Sequence, residues 1–383
     1  MNEVYVVSAA RTAIGSFGGA FGATPAVKLG GAAIKETLNR SGLQPEMINE
    51  VIMGNVVSAG IGQAPARQAA IAAGLPTSIG ALTVNKVCGS GLKAVVLASQ
   101  MIRSGDAQAV VAGGMENMSQ APYLLDKART GYRLGHGQVL DANVKDGLWD
   151  PYGNIHMGLC AEACAEKYQI SRAEQDNYAI LSYKRAQEAQ AKGYFKSEIV
   201  AVEGMAEDEE PKRSNFDKFP KLKPAFKPDG TITPANASKL NDGAAAVVLA
   251  SESLVQEKKL KPIAKILGWA QHSQDPLWFT TAPVGALQNL MKKLGGDLKD
   301  FDLFEINEAF AVVAIACVKL TGLDSERVNV NGGAVALGHP IGVSGCRILA
   351  TLIYALKQRN LKRGAAAICL GGGEAVSLAV ELV

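Results

Sequence analysis

The chain has 383 residues, 48% of them apolar and 20% charged, with a formal net charge of +3. That length suits two or three domains of about 150 residues with sizeable cores, and the composition excludes a mainly disordered or coiled-coil chain. So small a charge gives no argument for nucleic acid, and no apolar run reaches the ~18 residues of a membrane helix. The six cysteines are Cys88, Cys160, Cys164, Cys317, Cys346 and Cys369; none forms C-x-x-C, and only four histidines exist, so a zinc site has little support. Met1 runs almost directly into "VYVVSAA", no signal peptide is visible, and a reducing, cytoplasmic setting with free thiols is expected.

In chain order, "VYVVSA" reads as a buried strand. "TPAVKLGGAAIKETLNRSG" reads as a helix with Thr24 as N-cap and Pro25 in the first turn. The strands "EVIMGNVV" and "ALTVNKV" follow, then the turn "CGSG", an apolar helix to Ile102 and the strand "AVVAGGMEN". After a long interruption come "FDLFEIN", "RVNVNG", the helix "CRILATLIYALKQ" and "AAAICLGGG". Continuous apolar strands separated by helices indicate an α/β protein whose mostly parallel sheet is covered on both faces.

The order of features recurs, and Gly113–Glu116 and Gly371–Glu374 close the two series alike. This predicts an internal duplication of a roughly 100-residue α/β unit. The interruption, residues 119–235, carries most charge runs and a long helix from about Ser171 to Gly193. Phe216, Phe219 and Phe226, spaced through its basic residues, argue against disorder.

Four stretches can carry chemistry. In "NKVCGSGLKAV" Cys88 follows a strand and precedes a Gly-rich turn and a helix; the helix dipole there favours thiolate. In "AAAICLGGGEA" Cys369 precedes three glycines whose N–H groups suit an oxyanion hole. In "FEINEAFA" Asn307 stands between Glu305 and Glu308, where it can cap a helix or hold a water or an oxyanion. In "NVNGGAVALGHPIGVSGCR" His339 lies on a glycine-rich loop that is a poor setting for a core residue. Ligands of open parallel sheets bind at the carboxyl ends of the strands, so these four stretches can converge.

Taken together, "VCGSG", "NEAFA", "NGGAVALGHPIGVSG" and "CLGGGEA", in this order and spacing, resemble the thiolases over essentially the whole chain. Within that family the pattern is most similar to short-chain acetyl-CoA C-acetyltransferases, closest to the animal mitochondrial acetoacetyl-CoA type. The resemblance implies the thiolase fold: two duplicated βαβαβαββ halves packed as a five-layered αβαβα core, with an inserted loop domain. It divides the chain into an N-terminal half (1–118), the loop domain for CoA binding and tetramerisation (119–235), a return to the first half (236–260) and a C-terminal half (261–383). It implies Cys88 as the acylated nucleophile, His339 as the base that deprotonates it and polarises the thioester oxygen, and Cys369 as the acid/base. Asn307 would hold a water in one oxyanion hole with His339; the N–H groups of Cys88 and Gly371 would form the other. Claisen chemistry needs both an acyl carrier and a carbon base, hence two activated thiols.

The resemblance also implies coenzyme A as substrate, no tightly bound cofactor, and a soluble cytoplasmic homotetramer acting in fatty acid metabolism. Leu148, His156, Met157 and Ser238 match pantetheine contacts. Arg213 and Lys218 match the nucleotide region, whose other cations are Lys212, Lys221 and Lys223. Phe279 matches the acyl pocket, limiting acyl length and admitting a 2-methyl branch, and Phe226 and Phe310 are further substrate- or CoA-binding candidates. The animal enzymes bind potassium through a tyrosine hydroxyl and carbonyls; Tyr183, Pro234, Ala235, Ala237 and Val335 match, and proline keeps its carbonyl. Two departures stand out: Lys239 where smaller residues are usual, and Glu374 beside the glycine run. Two other functions stay open here. A decarboxylating ketoacyl synthase shares the fold but lacks a catalytic second cysteine; a non-catalytic acyl-CoA-binding protein would have lost a catalytic residue, and all four are present.

Overall fold

A computed structural model describes residues 3–383. Its first half contains β1 (Val4–Thr12), α1 (Ala26–Ser41), β2 (Glu50–Gly54), α2 (Pro65–Ala72), β3 (Gly80–Val84), α3 (Ser90–Ser104) and β4 (Ala109–Asn117). A long segment with α4 (Met157–Lys167) and α5 (Arg172–Ala191) precedes β5 (Asn241–Ser251). The second half holds β6 (Ala264–Ser273), α6 (Ala282–Leu294), β7 (Leu303–Ile306), α7 (Ala311–Thr321), α8 (Ser344–Gln358), β8 (Arg363–Leu370) and β9 (Glu374–Leu382).

The expected duplication is written in the sheet. The strand order is β7-β8-β9-β6-β1-β5-β4-β2-β3. The centre is a short join in which only Tyr5–Lys265 and Val6–Ala264 pair. Outward from β1 the steps are antiparallel to β5, antiparallel to β4, then parallel to β2 and β3. Outward from β6 they are antiparallel to β9, antiparallel to β8, then parallel to β7. The expected mostly parallel sheet is thus corrected: parallel pairing is confined to the outer strands, and the centre is antiparallel because β8 and β9 are joined by a tight turn and β4 returns as β5. Where the first half has β3, the second has one parallel bridge, Phe304–Val328. The expected strand "RVNVNG" stops there because Asn329 turns to φ +50°. Its side-chain amide then replaces a strand, accepting from the Ile306 N–H and donating to the Ile306 carbonyl.

Alternation along the strands separates the layers. Val110, Ala112, Val247 and Leu249 face a core shared with α3 and α8, as do Ile368, Leu370, Val376 and Leu378 of the other half. Ala109, Val111, Val248 and Ala250 face α1 and α2; Ala365, Ala367, Cys369 and Ala379 face α4, α6 and α7. The result is a five-layered αβαβα arrangement. The halves differ in one connection. Gly371–Gly373 turn β8 directly into β9, whereas β4 reaches β5 only through residues 118–240. The long segment thus stands where its counterpart needs three residues.

Local chemistry explains the helix starts. Ser171 and Glu174 form a capping box that opens α5. For α1 the expected cap is corrected: Pro25 is the N-cap residue, and its carbonyl receives the first amides. The Thr24 hydroxyl instead donates to Glu203 at 2.6 Å, so tertiary contact removes it from helix capping.

At Gly114 the backbones of the two halves approach closely. A Cβ there would lie 2.0 Å from the Gly342 carbonyl oxygen, in the loop after His339. We expect Gly114→Ala to lose about 1–3 kcal/mol through overpacking, read as a lower urea midpoint. An unchanged midpoint would show that the loop is not wedged against β4.

Candidate active site

Cys88 stands at the turn between β3 and α3. The residue before it, Val87, has φ +45°, a left-handed conformation costly for a β-branched residue. Ser90 holds this turn: its Oγ accepts from the Lys86 N–H at 2.8 Å and donates to the Val87 carbonyl at 2.6 Å. The N–H groups of Gly371 and of Cys88 itself reach the sulfur. The thiol is buried, and burial pushes it up to about 12 against those two amides. The helix end expected to favour thiolate does not prevail here: loss of water pushes the Cys88 thiol up further than the two amides pull it down.

His339 is buried and oriented by its loop. Its N–H donates to Asn241 Oδ1 at 3.0 Å. Its Nδ1 lies 2.6 Å from Ser344 Oγ, which donates its own proton to the Pro340 carbonyl at 3.0 Å. Ser344 must then accept from Nδ1–H, an assignment by hydrogen bonding. That leaves the Nε2 lone pair, which has no partner. Burial, with Arg347 adding repulsion, lowers this imidazole well below its ordinary range, so it rests neutral. The far side of the loop is held by the buried Glu116, which accepts from the amides of Gly342, Val56 and Val57 and from Asn55 Nδ2.

Asn307 follows β7, and its N–H donates to the Ala367 carbonyl, two residues before Cys369. The helix-cap reading of Asn307 fails: α7 begins at Ala311 with Phe310 as its N-cap residue. Both amide atoms of the Asn307 side chain are buried and unpartnered, so they are free for a water or an oxyanion. Its neighbour Glu308 is saturated, accepting from Tyr178, Ser182, Asn329 Nδ2 and the Val335 N–H at 2.8–3.0 Å. Cys369 lies inside β8 rather than after it. Burial pushes its thiol well above the usual range, and the Cys88 sulfur adds to the push. The two thiols are thus neighbours that resist carrying charge together. Glu374 turns to Lys86 and Ser273, not to Cys369.

A cavity of about 210 Å³ opens on Cys88 and His339, while Asn307 and Cys369 lie outside its lining. Cys88 and His339 line it with Leu148, His156, Met157, Phe226, Ser238, Phe279 and Phe310, all named from the sequence. Gly371 adjoins it: a Cβ there would sit 3.6 Å from Met157. The "IHMG" stretch has a local logic. His156 Nδ1 accepts from the Gly158 N–H at 3.0 Å, capping α4, and its ring stacks on Phe226 at 4.6 Å. A Cβ on Gly158 would strike that Phe226 ring at 2.3 Å. Arg213 and Lys218 are exposed and outside the cavity.

Sequence reading missed Met118, Gly147, Leu240, Ala309 and Ile341 as lining residues. It also missed Asn241, Ser344 and Glu116 as supports. Glu116 was the one with a signal, since it closes the repeated Gly-Gly-x-Glu. Of the five groups offered to potassium, three are bonded by a lysine. Lys239 Nζ donates to Tyr183 Oη at 2.7 Å, the Val335 carbonyl at 2.7 Å and the Ala237 carbonyl at 3.4 Å. These groups do not fit a potassium ion while that ammonium is present.

Comparison with known proteins identifies the family and the fold. The family model for the thiolase N-terminal domain matches residues 4–253, and that for the thiolase C-terminal domain matches residues 260–382. The chain belongs to the thiolase family. It is 53% identical to the acetyl-CoA acetyltransferase of Schizosaccharomyces pombe over 391 residues, covering 100% of this chain and 99% of that protein. It is 50% identical to the cytosolic acetyl-CoA acetyltransferase of Mus musculus, with 99% and 98% covered. It superposes on the crystal structure of the Acat5 thiolase from Ascaris suum in complex with coenzyme A with a TM-score of 0.96, at 47% identity and full coverage of both chains.

A neutral Cys88 has a testable signature. Below its pKa the reactive thiolate grows about tenfold per pH unit. Alkylation of Cys88 by iodoacetamide, followed by peptide mass spectrometry, should therefore keep accelerating beyond pH 9 with no plateau. A plateau near pH 7 would show a preformed thiolate.

Proposed function

We propose that this thiolase is an acetyl-CoA C-acetyltransferase, which condenses two acetyl-CoA to acetoacetyl-CoA and CoA, or cleaves short 3-ketoacyl-CoA in reverse. The observation that carries the reading is the juxtaposition of Cys88 and the unpartnered His339 Nε2 on one small, mostly apolar cavity. Several named relatives, and the coenzyme A bound in the Ascaris structure, support the same substrate class.

The chemistry follows from proton positions. Cys88 Sγ attacks the acetyl thioester while His339 Nε2 takes its proton. The N–H groups of Cys88 and Gly371 receive the oxyanion. The departing CoA sulfur takes the Cys369 proton, leaving acetyl-Cys88, imidazolium and a Cys369 thiolate. Only one thiolate exists at a time, as the mutual repulsion of the two sulfurs requires. The thiolate removes an α-proton from the second acetyl-CoA. The resulting enolate oxygen is held by the His339 imidazolium and a water on Asn307, and its carbon attacks the acetyl group. Collapse frees Cys88, which recovers its proton from His339, and the protons balance.

His156 and Met157 flank the pantetheine end with Leu148 and Ser238, and the nucleotide extends toward the exposed Arg213 and Lys218. Phe279, buried and 6.5 Å from the Phe310 ring, closes the acyl end and favours short acyl groups. We read the long segment as a loop domain that supports coenzyme A and joins subunits into a homotetramer. The exposed Tyr123, Leu125, Leu134 and Val139 on it support that assembly. A cytoplasmic setting is consistent with the cytosolic mouse relative; among the described residues no helix is long and apolar enough to cross a membrane.

Cys88→Ala should abolish thiolysis of acetoacetyl-CoA, and undiminished turnover would sink the reading. Cys369→Ala should still form acetyl-Cys88 from acetyl-CoA, seen by intact-protein mass spectrometry, yet fail to condense it. Asn307→Ala should cost about 10²–10³ in kcat, the usual effect of one oxyanion donor. Phe279→Ala should shift preference toward longer 3-ketoacyl-CoA; preference of the wild type for the long substrate would refute Phe279 as the limit.

A further inference from the structure

Lys239 is an unusual lysine. The residue is half-buried and lines the cavity, and its ammonium is bonded to protein oxygens. It makes no ion pair. A buried ammonium without a carboxylate partner is costly, and burial pulls this one down to about 8 although Glu210 and Glu308 act from a distance to hold its proton. An ammonium has three donors, and here they go to the Tyr183 hydroxyl, the Val335 carbonyl and, at 3.4 Å, the Ala237 carbonyl. It also lies 4.9 Å from the centroid of the Tyr183 ring, an added cation–π contact.

The three partners belong to separate parts of the site. Ala237 precedes Ser238, which lines the cavity. Tyr183 lies on α5, packed edge-on to Phe219 at 5.8 Å. Val335 is in the short helix Ala334–Leu337 that leads to His339. Its N–H is fixed by the Glu308 carboxylate at 3.0 Å and its carbonyl by Lys239.

We propose that Lys239 is a tethered monovalent cation, a positioning residue whose ammonium stands where a potassium ion would otherwise join the Ser238 loop, α5 and the His339 loop. The enzyme then carries its own cation and has no need of potassium. This deepens the thiolase reading and rests on it only for the activity readout.

The test compares potassium, sodium and lithium chlorides at equal ionic strength, reading both Tm and thiolysis of acetoacetyl-CoA. The wild type should show the same Tm and kcat in all three. Lys239→Ala opens a hole lined by the same oxygens. Its kcat should fall roughly tenfold, within the usual span of effector coupling, and potassium but not lithium should raise both Tm and kcat. Lys239→Met fills the stem's space without charge and should be impaired with no potassium response. Potassium raising the wild-type Tm or kcat severalfold would overturn the proposal. So would a Lys239→Ala loss that no cation reverses, or a Lys239→Ala enzyme with wild-type properties in every salt. If Lys239→Ala does not fold, the wild-type comparison and Lys239→Met decide: potassium indifference in both, with Lys239→Met impaired, supports it, and any other result overturns it. A wild type without thiolysis would refute the activity instead, and the Tm series would still read the cation site.

Discussion

The carboxylate of Glu308 holds the site together. Four donors converge on it: Tyr178 and Ser182 from α5, Asn329 from the edge of β7, and the N–H of Val335. A buried carboxylate is tolerated only when its oxygens are satisfied, so this group forces three separate chain segments into one place. Asn307 precedes it, and the His339 loop hangs from Val335. The long segment inserted in the first half is thereby fastened to the His339 loop of the second.

Around that anchor the site is kept dry. Loss of water raises the Cys88 and Cys369 thiols and lowers His339, so every reacting group rests uncharged. In the proposed reaction charge develops only once a thioester enters, where two amides at Cys88 and the free amide of Asn307 already stand as donors; the imidazole becomes one only after taking the Cys88 proton. Preorganised dipoles of this kind need no rearrangement during the reaction. The same dryness makes an uncompensated cation costly, which is why the placement of Lys239 on three oxygens carries mechanistic weight.

Much of the fold was legible because the strands are buried on both faces and read as unbroken apolar runs, and because the halves repeat. Thr24 and "RVNVNG" were misread for one reason. A local cap or strand signal yielded to a contact with a distant segment, Glu203 for Thr24 and the Ile306 backbone for Asn329. Cys88, His339 and Cys369 were recognisable from the glycine-rich motifs beside them, and Asn307 from its place between two glutamates after a strand. Ser344, Asn241 and Glu116 were not, since a polar residue's role as a support depends on what lies beside it.

The amino-acid sequence by itself determined the α/β class, the duplication, the family and the four groups able to carry acyl-transfer chemistry. Each of these rests on spacing along the chain. Tertiary structure alone decided the burial of Cys88, the free nitrogen of His339, the freedom of the Asn307 amide and the destination of the Lys239 ammonium. Those depend on burial and on partners from other segments, and neither is a local property of the sequence.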